Sequence, residues 1–104
     1  MKTKFLIIKT TYPKMDGAKK LAKILLTKKL AACVQFSKIE SLYSWENKIL
    51  QEKEILLSIK TTEKLYQKIE KEILANHPYK TPQIIAVEIK NGFKGYFSWI
   101  EENL

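Results

Sequence analysis

The sequence predicts an α+β fold of ferredoxin-like type, a β-α-β-β-α-β antiparallel sheet with an added C-terminal helix. Two stretches of helical apolar spacing alternate with four strand-like stretches in that order. The two middle strands, within Ala31 to Thr62, meet at a polar break, Glu46-Asn47-Lys48, and read as one long β-hairpin. No repeat, linker or low-complexity segment divides the chain, so residues 1–104 are expected to form a single domain.

The first strand is Lys4 to Thr11, with Phe5-Leu6-Ile7-Ile8 apolar towards both faces, and Tyr12-Pro13 stops it. From Asp16 to Lys29, Ala18, Leu21, Ala22 and Leu25 recur at helical spacing with lysines opposite. Asp16 suits the N-cap, and the pattern also allows a start one turn earlier at Pro13. Met15 reads as a gap filler near this loop.

In the returning arm of the hairpin, Ile55, Leu57 and Ile59 share one face. In the outgoing arm the alternation slips: Ala32, Val34 and Phe36 are in one phase, Ile39, Tyr43 and Trp45 in the other. A β-bulge near Ser37-Lys38 would restore the phase. Arms of this length extend roughly 45 Å, beyond the ~33 Å diameter expected of the domain, so the tip is expected to reach another copy of the chain.

Thr61-Thr62 offers a cap for a second helix with Leu65, Tyr66, Ile69 and Ile73 as its buried stripe, ending near Asn76. The prolines of His77-Pro78-Tyr79-Lys80-Thr81-Pro82 force extended geometry on the residues before them. A fourth strand spans Gln83 to Lys90, Asn91-Gly92 turns the chain, and Phe93, Tyr96, Phe97, Ile100 and Leu104 fit one face of a last helix. Both long helices should cover one face of the sheet, yet three strands are apolar towards both. Covering even ~600 Å² of the other face is worth on the order of 15 kcal/mol, against association costs of roughly 4 to 15 kcal/mol, which predicts a closed homo-oligomer.

A net charge of +8 arises from 19 lysines and no arginine. Residues 1–52 carry 11 lysines against 4 acids, residues 53–104 carry 8 against 7, so the surplus centres on the first helix. Without a forked donor for base or phosphate readout, this reads as a solvated lysine face, and no nucleic-acid partner is expected. Lys94-Gly95-Tyr96-Phe97 echoes an RNA-recognition motif but fails at Phe97 and lies in a helix. One cysteine permits no internal disulfide, and no apolar run approaches bilayer length; the expectation is a cytoplasmic chain without membrane insertion.

Cys33 is the only thiol and His77 the only imidazole, too few for a closed zinc site and poorly placed for a nucleophilic triad, so no enzymatic activity is expected. Cys33 reads first as strand packing, and His77 as a helix C-terminal residue whose charge favours the negative end. Brought together across a subunit boundary, they would suit Cu(I) or Zn(II). Glu52, Glu54 and Lys60 lie on one face of one strand, as a polar pocket or as cross-strand ion pairs. Tyr43 and Trp45 read as packing anchors against a neighbouring subunit.

Leu30-Ala31-Ala32-Cys33-Val34, Ser41-Leu42-Tyr43-Ser44-Trp45, Glu54 with Lys60-Thr61, and His77-Pro78-Tyr79 with Pro82 and Ile84 together resemble the CutA divalent-cation-tolerance family over nearly the whole chain. The resemblance implies a homotrimer whose hairpins clasp neighbouring subunits, and a non-enzymatic response to copper or other divalent cations. It places Cys33, His77 and Glu54 as candidate metal ligands, and Trp45, Lys60 and Tyr79 in clefts between subunits. It also implies an alternative, a trimer similar to PII signalling proteins that holds a small anionic metabolite in those clefts. Thr10 stands where some members have a second cysteine, which bears on copper, and Asn47 where a glycine often forms the turn.

Overall fold

A computed structural model describes residues 2–104. Its elements are β1 (Phe5–Tyr12), α1 (Met15–Thr27), β2 (Cys33–Trp45), β3 (Lys48–Thr62), α2 (Tyr66–Asn76, entered through a 3-10 turn over Glu63–Leu65), β4 (Ile84–Glu88) and α3 (Lys94–Glu102). All pairings are antiparallel, in the order β2-β3-β1-β4. On one face Ile8 and Tyr12 of β1 and Ile55, Leu57 and Ile59 of β3 pack against Leu21 and Leu25 of α1 and Ile69 and Ile73 of α2. Among the described residues no helix is long and apolar enough to cross a membrane.

Helix α1 starts earlier than Asp16 suggests. Lys14 is the N-cap residue, extended and without a side-chain cap, and Asp16 lies in the first turn, where its charge still favours the positive helix end. At the other end Lys29 takes a left-handed backbone, φ 57°. Its amide bonds Leu26 O at 3.1 Å and that of Leu30 bonds Leu25 O at 2.9 Å, the paired bonds of a Schellman cap. Buried Leu30 completes the cap by packing into the core beside Leu25.

No bulge interrupts the hairpin at Ser37-Lys38. Pairing runs unbroken from Cys33 opposite Lys60 to Trp45 opposite Lys48. The apolar phase changes because the surroundings change: Val34 and Phe36 join the helix-side core, whereas Ile39, Tyr43 and Trp45 project from the opposite face. β1 pairs with β3 only over Ile55–Thr62, so Ile39–Trp45 and Lys48–Glu54 continue as a two-stranded ribbon, roughly 23 Å long at ~3.3 Å per residue. The chain is accordingly elongated, 46 × 26 × 22 Å, with a radius of gyration of 14.5 Å. Glu46 (φ 50°) and Asn47 (φ 62°) close the ribbon with both central residues left-handed, as a two-residue type I′ turn requires.

The face away from α1 and α2 is only partly bare. There α3 crosses one end, Phe97 stacking on Phe5 with centroids 4.3 Å apart and rings 6° from parallel. Of the residues expected to line one face of this helix, Ile100 is buried, but Phe93 stands just before it, largely exposed. The rest of this face stays open, with Ile85 48% and Val87 49% exposed, and the ribbon displays Leu42 (71%), Trp45 (57%) and Ile49 (75%).

Lys29 occupies a position that glycine takes without steric cost. Lys29→Gly is expected to stabilise the fold by about 1 kcal/mol in guanidinium unfolding; an unchanged or lowered midpoint would show that the lysine side chain contributes more than its backbone strain costs.

Candidate functional site

The segment after α2 is tied to the sheet by one ring. Pro78 holds His77 extended, φ −94° and ψ 136°, so α2 ends at Asn76 and the imidazole turns towards β1. The backbone N–H of Tyr79 donates to His77 Nδ1 at 3.0 Å. An amide can only donate, so Nδ1 is unprotonated, and Nε2 carries the proton it gives to the Thr11 carbonyl at 2.7 Å. Tyr12 and Tyr79 flank the ring, with centroids at 4.3 and 4.9 Å, and the Tyr12 hydroxyl reaches Asn76 O at 3.3 Å. His77 is thus neutral with both nitrogens in use, not the charged helix-end residue that the sequence suggests; burial, opposed by the Thr11 carbonyl and Glu54, lowers its pKa.

Tyr79 then donates its hydroxyl to Glu54 Oε2 at 3.2 Å. Burial first, and the neighbouring Glu54 carboxylate next, push the Tyr79 pKa up to about 12, so the phenol stays a donor. Glu54 is itself only 9% exposed, an unusual place for a carboxylate. A hollow of about 350 Å³ opens beside it at the root of the ribbon, lined also by Lys38, Glu40 and Lys53. Two residues further along the same face, Glu52 accepts the Tyr43 hydroxyl at 2.7 Å.

A second cluster lies at the opposite end of the sheet. Cys33, a half-buried free thiol, pairs with Lys60, which pairs in turn with Ile7 of β1. The Lys60 ammonium donates to the Tyr96 hydroxyl at 3.3 Å and stands 5.4 Å from the centre of that ring. Thr11, which holds His77, is four residues along β1 from Ile7, roughly 13 Å. The chain therefore joins His77, Tyr79 and Glu54, and separately Cys33 and Lys60; Trp45 stands apart at the ribbon tip. Among the described residues no three of His, Cys, Asp and Glu come close enough to hold a metal ion. Tyr12 and Tyr96 are partners that sequence reasoning missed, since their bonds to Asn76 and Lys60 join segments distant in the chain; Tyr43, read as a packing anchor, donates to Glu52 across the hairpin.

Residues 6–103 match the family model of the CutA1 divalent ion tolerance protein. The chain belongs to the CutA1 divalent ion tolerance family. It is 39% identical over 94 residues to the divalent-cation tolerance protein CutA of Archaeoglobus fulgidus, covering 90% of this chain and 92% of the relative. With the Thermus thermophilus CutA it shares 35% over 98 residues, 93% and 95% of the two chains. The crystal structure of CutA1 from the psychrotrophic Shewanella sp. SIB1 superposes with a TM-score of 0.93 at 41% identity, covering 99% of this chain and 97% of that one. Relatives differ in compartment: the A. fulgidus protein is described as periplasmic, and an Arabidopsis CutA as chloroplastic.

In this CutA chain His77 is the only histidine, so its Cε1 proton gives one NMR signal. Its titration midpoint is expected below the ordinary 6.5. The unfolded chain then takes up the proton at higher pH than the folded one, so the stabilisation from neutral His77 is complete above ~6.5 and is lost as pH falls through that window. A midpoint at or above 6.5 would contradict the neutral, doubly bonded ring.

Proposed function

We propose that this chain is a non-enzymatic homotrimer that responds to divalent cations such as copper, binding them where subunits meet. The observation that carries the reading is the division of the candidate donors. The Cys33 thiol and the Glu54 carboxylate lie on the open side of the sheet but at opposite ends of it, so no single subunit completes a site. A second copy laid against that side, with its ribbon reaching across, supplies the missing donors. The thiol favours soft cations and the carboxylate harder ones, a mixed set compatible with a broad rather than single-ion response. His77 joins such a site only by releasing the Thr11 carbonyl or the Tyr79 amide; its ordinary role is to hold Tyr79 against Glu54. The names of the relatives, divalent-cation tolerance proteins, support a cation response and state no reaction.

One observation favours the second reading, a trimer that senses a small anionic metabolite. Lys60 is half-buried on the same open side, held by Tyr96 rather than by a carboxylate, and its charge is available to an anion in the cleft.

Calorimetric titration with copper separates the readings. Cys33→Ser is expected to weaken copper binding about tenfold or more, and Glu54→Gln less. Unchanged affinity in both variants would remove these donors. For the alternative, an organic anion at 100 times its Kd should raise stability by ~2.7 kcal/mol, and Lys60→Gln should abolish that gain.

A further inference from the structure

Away from both clusters, a basin of about 900 Å³ lies between the N-terminal residues, the end of β4 and α3. Its size falls within the ~300 to 1,000 Å³ typical of small-ligand sites. Lys2 and Lys4 come from the chain leading into β1, Lys90 from just past β4, and Lys94 from the start of α3. Four ammonium groups thus border one basin, with Glu88 and Glu101 as its only acids. Among the described residues none of these six groups enters an ion pair, the one such pair joining Lys28 to Glu72 on the two long helices.

The floor is apolar and stiff. It is offered by the half-buried ring of Phe97, held in place by its stack on Phe5, which is itself buried. Gly92 closes on the same ring: a Cβ there would stand 2.6 Å from Phe97 Cζ, so the close approach needs glycine. A rigid aromatic base within a ring of unpaired lysines suits a ligand that is flat at one end and multiply anionic at the other.

We propose that this basin binds a small phosphorylated molecule with a flat apolar moiety, the chemical class that includes nucleotides. Its phosphates lie among Lys2, Lys4, Lys90 and Lys94, and its flat part lies against Phe97, which Phe5 backs. Lysine serves phosphate as a mobile point charge, so the absence of arginine is no obstacle. Glu88 and Glu101 repel a ligand that enters with its phosphates turned away from the lysines, which fixes its orientation. Lys60 lines no part of this basin, so the inference stands independently of the cation and anion readings of the subunit clefts.

The test titrates the full chain, in its native assembly and without divalent cations, with ATP, inorganic tripolyphosphate and adenosine. ATP is expected to bind saturably and more tightly than either fragment. The double variant Lys4→Gln/Lys94→Gln should weaken ATP about tenfold or more, while Lys68→Gln/Lys71→Gln, on the exposed side of α2, should change it less than about twofold. Equal weakening in both double variants would mean diffuse attraction to a basic surface and overturn the site. So would absence of saturable ATP binding, or a loss produced by Lys60→Gln instead. Tripolyphosphate binding as tightly as ATP would overturn the role of the aromatic floor.

Discussion

Water has to be kept from apolar surface that the two long helices do not reach. A two-stranded ribbon alone is at best marginally stable, because each strand finds only one neighbour and no layer packs on it. Here the ribbon extends seven residue pairs beyond the last pair shared with β1, and its tip is apolar on both sides, Leu42 and Ile49 on one, Tyr43 and Trp45 on the other. The open side of the sheet adds Ile85 and Val87. Covering this surface with further copies, as proposed, would leave the least of it in water and would make assembly part of folding rather than an addition to it.

The polar groups follow from that constraint. Cys33, Glu54 and Lys60 would be poorly placed on a face sealed by its own helices. On a face covered by another copy, as proposed, they would become the polar lining of a boundary. The ties around them are built to last: neutral His77 joins β1 to the segment after α2, Tyr79 remains a hydrogen-bond donor to Glu54, and Tyr96 steadies Lys60 from α3. Such ties hold charged groups in fixed positions, and in the half-dry boundary that the proposed assembly would create, a bound ion or anion would gain most from them.

Much of this was legible in the residues. The order of elements and the long hairpin were readable because strand alternation and helical spacing are local signals, and Ile55, Leu57 and Ile59 point inward as their spacing requires. The slip in the outgoing arm reads as an inserted residue, because one strand's pattern cannot tell a change of register from a change of covering. Only the pairing with β3 shows that Ile39 onward has simply left the helices behind. The residues leave the N-terminus of α1 open between Pro13 and Asp16, because Asp16 is equally at home as a cap and in a first turn; the helix begins between them, at Met15. Cys33, His77 and Glu54 could be singled out by rarity and by resemblance. Their distribution could not, since the bond from His77 to a backbone carbonyl 66 residues away depends on tertiary structure alone. The packing of α3 on the open face was equally hidden, because Phe97 fits a helical stripe whichever surface it meets.

Sedimentation equilibrium of the intact chain, followed from micromolar concentration downward, tests the dependence on assembly most directly. A single species of three times the 12.2 kDa chain mass, without dissociation to folded monomer, is the predicted result. A folded 12.2 kDa monomer, stable with its ribbon and open sheet in water, would contradict it.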